Sequence, residues 1–357
     1  MWTSERLLNS TNDSRPCGPE QARESAHFLP ARENQFESGA EKVFEVYFYL
    51  CKRVILVRLA LKRLVIIGAR GKIATELSRH AIRNEIPCAL FSRAGAKDIS
   101  PIDDLFTPGV WTSGDTFVHT AWSTVPFTSE QNPGVEWQVD IPLLVRIVKF
   151  IGSLPAAKRP HFCFLSSGGT VYDEAAAKPN VETDPLHPKG WHGAAKKAAE
   201  EIITALCRHF EMPACIMRVS NPYGFSVSSL KPQGIIQHAL RAAIEGDDLR
   251  LWGDGSAIKD FIFSEDLTTV MLALLRRRVS GIFNVASGES TSVRQIIELA
   301  EKVTQKKINL TYEDPFAWDV QRSRLDITKL QNVTGWRPRV GLEEGILAAY
   351  NAMNGGC

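Results

Sequence analysis

The sequence predicts an α/β chain: a doubly wound parallel sheet with a small C-terminal substrate-binding lobe. Three observations carry this. Short all-apolar runs at 64–67 and 162–165 suit parallel strands covered on both faces. A glycine turn, Gly68-Ala69-Arg70-Gly71, stands directly between the first run and a helical pattern. After Gly224 the elements become shorter and mixed, as expected of a small lobe closing over a site.

At 357 residues, with 44% hydrophobic and 23% charged, the chain has ordinary globular composition and can bury a sizeable core. Its net charge of +2, from 42 basic and 40 acidic residues, gives no reason to invoke nucleic acid. Seven cysteines show no CxxC pair and no metal-ligand spacing, so no metal is expected; they read as reduced thiols of a cytoplasmic protein. No uncharged apolar run approaches the roughly 18 residues of a membrane span.

Residues 1–60 differ from the rest. Positions 1–42 are rich in Ser, Asn, Glu and Arg without periodicity and read as disordered. Positions 43–61 are apolar but broken by Glu45, Lys52, Arg53 and Arg58; a membrane-surface or targeting helix stands against a segment without function. Leu61-Lys62-Arg63 reads as the start of the folded chain, which makes a mis-annotated upstream extension the sharper expectation.

From Leu64 the elements follow in order. The first strand runs into Gly68 and Gly71, which let the backbone turn tightly and approach a pyrophosphate, while Ala74 takes the third small position. A helix with Ile73, Leu77 and Ala81 on one face then presents its N-terminal amides, so Gly68, Arg70, Gly71, Lys72 and Ile73 form a candidate dinucleotide site. The second strand ends in Ser92-Arg93, where NAD sites place an acid. Arg93 suits a 2′-phosphate and so NADP over NAD, with an exposed loop arginine as the alternative. A third strand, 116–119, leads into Thr120-Ala121-Trp122, and His119 reads as a packed strand-end residue. A helix is expected over about 139–151. Strand 162–165 ends in a small polar run, Ser166-Ser167-Gly168-Gly169-Thr170, at the sheet edge where ligands bind. The next helix opens with Trp191-His192-Gly193 and carries Lys196 among alanines.

The segment Ser166 to Tyr172, the Trp191 to Lys196 helix start, Arg218-Val219-Ser220-Asn221-Pro222-Tyr223-Gly224, Leu251-Trp252-Gly253-Asp254-Gly255 and Gly335-Trp336-Arg337-Pro338 together resemble the extended short-chain dehydrogenase/reductases, the NAD-dependent epimerase/dehydratase family typified by UDP-glucose 4-epimerase. The likeness spans about 61–350. It implies a Rossmann-type domain over 61–225, completed by strands near 261–286, with a substrate lobe over 226–350. It also implies an NAD or NADP cofactor, a nucleotide-sugar substrate of polysaccharide synthesis and a homodimer. Ala121 and Trp122 then line the nicotinamide ribose, and Lys196 holds that ribose. Ser167 and Thr170 bracket the catalytic hydroxyl, because Gly168 stands where the family has Ser or Thr. His192 stands where the family has its tyrosine acid/base.

Imidazole is a competent base near neutrality but reaches less far than a phenol, by roughly 2 Å. Three readings stay open: His192 as the working base, a tyrosine such as Tyr172 or Tyr223, or a binding protein with little redox chemistry. A keto-sugar reductase is a further alternative. On the substrate side the resemblance points to Asn221 at the pyrophosphate or sugar, Gln233 opening a helix under the base, and Leu251 and Trp252 flanking a uracil-like ring. Lys259 replaces one phosphate arginine. Phe316-Ala317-Trp318 occupies the place of the other, leaving Arg322 or Arg324 to substitute.

Overall fold

Leu64 and Ile66 of strand β1 (Leu64–Ile67) face one side of the sheet and Val65 and Ile67 the other, and each pair feeds a separate core. The all-apolar run is thus explained by burial on both faces. The computed structural model describes residues 61–174, 178–225 and 233–355, all within one unit, Leu56–Cys357. The expected N-terminal extension, 1–60, lies outside the described residues.

The first half continues with α1 (Lys72–Arg83), β2 (Cys88–Ser92), β3 (Ser100–Pro101), β4 (Thr116–His119), α2 (Pro126–Gln131), α3 (Val135–Ser153), β5 (His161–Ser167), α4 (Trp191–His209) and β6 (Ala214–Val219). The second half comprises β7 (Asn221–Tyr223), α5 (Ile235–Glu245), β8 (Leu249–Trp252), β9 (Ile258–Phe263), α6 (Ser264–Arg277), β10 (Gly281–Val285), β11 (Ser290–Ser292), α7 (Val293–Thr304), β12 (Leu310–Glu313), α8 (Thr328–Thr334) and α9 (Leu342–Met353).

Seven strands form one parallel sheet in the order β10-β6-β5-β4-β1-β2-β3. Helices α1 and α6 cover one face through Ala74, Leu77, Leu267 and Met271. The other face is covered by α3 and α4 through Leu144, Ile147, Ala199 and Ile203. The chain reverses its direction of travel across the sheet between β1 and β4, which is the position where such sheets open a ligand crevice.

The small lobe is a separate core of α5, α7, α9 and the β8–β12 pair, filled by Leu240, Leu251, Ile296 and Ile346. One expectation is corrected here. Of the strands near 261–286, only β10 joins the main sheet; β9 pairs with β7 and β11 in a three-stranded sheet of its own. β9 alternates in its burial rather than being covered on both faces, which suits a sheet at the boundary between domain and lobe.

Helix α4 buries His192, Ala195, Lys196, Ala199, Glu200 and Ile203, the three-and-four spacing of a single helical face. No side chain of Gly190 caps it; instead Glu130 Oε1 accepts from the Trp191 amide at 2.7 Å. Gly193 lets this helix approach the loop after β5, since a Cβ there would lie 2.2 Å from the Thr170 carbonyl oxygen. Gly193→Ala is expected to cost about 1–3 kcal/mol by overpacking. An unchanged denaturant midpoint would show that the helix start accommodates the methyl group.

Three histidines, His119, His161 and His192, are buried. Burial is the main cause that holds their pKa values at about 3, about 4 and about 3, well below the ordinary 6.5. Their contribution to stability is complete above pH 6.5 and is lost as pH falls toward those values. Buried Asp260, raised to about 6, acts oppositely, losing its contribution as pH rises through 6. Three imidazoles outweigh one carboxyl, so unfolding should take up about two protons near pH 5. The urea midpoint should therefore fall steadily as pH drops from the ordinary histidine range to about 4.5; a flat or rising midpoint contradicts this.

Candidate active site

The carboxyl ends of β1, β4 and β5 meet at the crevice, and each is followed by a short segment bearing expected site residues. Gly68 has φ +95°, and a Cβ on it would lie 2.5 Å from the Ala121 amide nitrogen. Only glycine therefore lets the exits of β1 and β4 pass so closely. A Cβ on Gly71 would meet only the Gly68 carbonyl oxygen, at 3.3 Å, so the backbone stays approachable in front of α1. That helix carries no acid in its first turn, which leaves its amides and dipole free for an anion. Arg70 within this turn and Arg93 just past β2 are exposed, and Ile73 packs against the core. Lys72 donates to Gln237 Oε1 at 3.1 Å, and the same oxygen accepts from the Gln233 amide at 2.9 Å, linking the glycine turn to the start of α5. Ser92 Oγ, Trp122 Nε1 and Thr170 Oγ1 are buried without a partner among the described residues, and all three stand at or just past strand ends. Approachable amides, exposed arginines and unpaired polar atoms at the carboxyl end of the sheet fit a dinucleotide.

His192 lies edge-on to Trp122, with centroids 6.4 Å apart, and its Nδ1 is 3.4 Å from Thr124 Oγ1. Lys196 donates to the Leu165 carbonyl at 2.8 Å and sits 3.7 Å above the Trp122 ring and 4.8 Å from that of Phe164. Burial lowers the Lys196 pKa to about 7, against the opposing pull of Asp140, Glu200 and Glu136. The charge of Lys196 adds to burial in holding His192 neutral. Asp140 accepts from the Ser123 amide at 3.0 Å and hydroxyl at 2.9 Å, while burial pushes its pKa above the usual range. Ser167 ends β5 half-buried.

The two tyrosine alternatives are committed elsewhere. Tyr172 donates to Asn284 Oδ1 at 2.7 Å and accepts from Arg218, and burial pushes its phenol up to about 12. The Tyr223 hydroxyl is packed under Gly345, and burial raises its pKa too.

The lobe supports some substrate expectations and corrects others. Asn221 donates to the Asp260 carbonyl at 2.8 Å and lies beside Gly169. Gln233 stands just before α5, as expected. Leu251 is corrected: β8 alternates, so its side chain enters the lobe core, while Trp252 points outward at 43% exposure. Lys259 is paired with Asp319 at 2.7 Å and also bonded to the Val320 carbonyl, so its charge is spent inside the protein. Arg322 is exposed at a bridge to Ile258.

Four acids and hydroxyls were not legible as site residues: Thr124, Glu136, Asp140 and Glu200. Glu200 alone had a signal, since it lies four residues after Lys196 on the same helix face.

Among the described residues, no helix is long and apolar enough to cross a membrane. Residues 64–286 match the family model described as NAD dependent epimerase/dehydratase family. The dTDP-4-dehydro-6-deoxyglucose reductase of Escherichia coli is 29% identical over 235 residues, 65% of this chain and 72% of its own. The UDP-glucose 4-epimerase of Mycolicibacterium smegmatis is 27% identical over 219 residues, 59% of this chain and 70% of its own. Among solved structures, the UDP-glucose 4-epimerase of Thermus thermophilus, determined in complex with NAD, has a TM-score of 0.74 at 20% identity, covering 83% of this chain and all of that one. That structural likeness speaks for the fold. The family match over most of the chain goes further: this protein belongs to the NAD-dependent epimerase/dehydratase family.

Proposed function

We propose that the chain binds NAD or NADP together with a nucleotide-activated sugar, and that His192 moves the proton when a sugar hydroxyl is oxidised or a keto group reduced. One observation carries this. His192 and Lys196 share the buried face of α4 at the crevice where the glycine turn and the unpaired polar atoms also gather. Similarity to a dTDP-4-dehydro-6-deoxyglucose reductase and a UDP-glucose 4-epimerase supports the substrate class. Exposed Arg93 at the end of β2 favours the 2′-phosphate of NADP.

A bound nicotinamide supplies the acceptor and donor of hydride. The protein's part is to hold and orient. The α1 amides and Arg70 would hold the pyrophosphate, and Lys196, whose ammonium lies over the Trp122 ring, would hold the ribose. Thr170 Oγ1, unpaired in this structure, replaces the missing hydroxyl at Gly168 in holding the reacting oxygen. His192, neutral above about pH 3, takes the hydroxyl proton. A cytoplasmic location is the reading supported by the free thiols at Cys88, Cys163, Cys207 and Cys215, the cysteines among the described residues. A homodimer through α3 and α4 is supported by Trp137 and Trp191, which stand exposed and edge-to-face at the starts of these helices.

A second reading has its own observation. Burial and Lys196 together oppose an imidazolium at His192, and Trp122 already covers the lysine. This favours a cofactor-binding protein of low activity. Calorimetric titration with NAD, NADH, NADP and NADPH, followed by nicotinamide absorbance with UDP-glucose and dTDP-sugars, separates the two. The enzyme reading expects turnover that falls about 100-fold or more in His192→Ala while cofactor binding persists. Tight binding without turnover, unchanged by His192→Ala, selects the binding protein; no binding of any nicotinamide cofactor overturns both.

A further inference from the structure

Next to His192 lies a chain of polar side chains that ends in a buried carboxylate. Thr124 Oγ1 is 3.4 Å from His192 Nδ1, and the Thr124 hydroxyl donates to Glu136 Oε1. Ser129 donates its hydroxyl to the same oxygen, at 2.5 Å. Glu136 is wholly inaccessible to solvent, its second oxygen has no partner among the described residues, and it occupies the first turn of α3, where the helix dipole favours a carboxylate.

The proton count decides what this chain can do. A threonine hydroxyl has one hydrogen, and the Thr124 hydrogen goes to Glu136. Toward His192 the hydroxyl oxygen can then only accept. The hydrogen on Nδ1 therefore belongs to the histidine, and Nε2 carries the lone pair. No hydrogen bond occupies Nε2 among the described residues.

We infer that Thr124 and Glu136 are positioning residues that fix the tautomer of His192, so that Nε2 faces the reacting hydroxyl as a proton acceptor. The arrangement places a carboxylate behind a base through one intervening hydroxyl, which generalises the orientation of an imidazole by an acid. The 3.4 Å spacing is long for a hydrogen bond and is expected to tighten with substrate in place. Lys196, the nearby cation, raises the cost of an imidazolium but leaves the choice between neutral tautomers to Thr124.

The inference rests on the proposed role of His192, but its test reads the tautomer directly. In uniformly 15N-labelled protein, long-range 1H–15N correlations of the His192 ring, assigned by their loss in His192→Gln, should show a protonated Nδ1 and an unprotonated Nε2. Thr124→Ser should keep this pattern. Thr124→Val, which removes the acceptor, and Glu136→Leu, which leaves the threonine hydrogen free to point at Nδ1, should each move the population toward protonated Nε2. Thr124→Ser folds as the control for both. Where turnover is measurable, Thr124→Val should lower kcat by about 10–100-fold, as loss of a partner behind a functional histidine does, with KM little changed. A protonated Nε2 in the native protein, or a pattern indifferent to Thr124→Val, overturns the inference. A protonated Nδ1 without turnover removes the enzymatic reading and leaves the tautomer assignment standing.

Discussion

The buried ion pair between Glu200 and Arg218 is the constraint on which the site depends. The two lie 2.7 Å apart at 4% and 3% side-chain exposure. Two guanidinium nitrogens of Arg218, Nε and Nη2, reach the carboxylate, and Ser166 donates to it from β5. Arg218 Nη1 also donates to Tyr172 and the Glu182 carbonyl, and Tyr172 passes the chain on to Asn284 of β10. Helix α4 is thereby fastened to β5, β6 and β10 by charged hydrogen bonds. Burying two charges is costly, and removing one partner from such a pair costs about 3–5 kcal/mol because the other is left unpaired. The compensation here is full, and its effect is positional: Glu200 occupies the same helix row as His192 and Lys196, so pinning it fixes the register of both against the crevice.

What could be seen in the sequence divides by distance along the chain. The unit from β1 through the glycine turn to α1 is local, and its spacing alone specifies it. The same holds for α4, where one periodic face contains both His192 and Lys196. Strand partnership is a different kind of information. Strands near 261–286 were expected, but nothing in that run tells whether the first of them joins the main sheet or pairs with β7 and β11. Leu251 and Trp252 were read together as flanking a ring, and the period-two alternation of β8 decides that only one of them faces outward. Thr124 and Glu136 were invisible for a related reason. One sits in a loop, the other on a helix, and their connection to His192 exists only in three dimensions.

The substrate side shows charge exchanged for aromatic surface. Lys259 is neutralised by Asp319, and Phe316 and Trp318 stack with centroids 4.8 Å apart and planes at 16°. Trp252 lies 5.3 Å from Phe316, and Phe127 from α2 is 6.1 Å from Trp252, so the wall joins the large domain to the lobe. Phe127 and Trp252 remain 42% and 43% exposed, a surface suited to stacking rather than to gripping an anion.

Gly168 limits what can stand at the exit of β5. A Cβ at that position would lie 2.6 Å from Leu325 Cδ1 and 2.9 Å from the Arg218 carbonyl oxygen. The leucine tip can rotate aside, but the carbonyl belongs to the strand that carries the ion pair. A serine there would therefore need the β6 backbone to move, at a cost in stability. A side chain at position 168 is thus refused by main chain rather than by a neighbour that could repack, so the end of β5 and the ion-paired strand beside it are built as one piece.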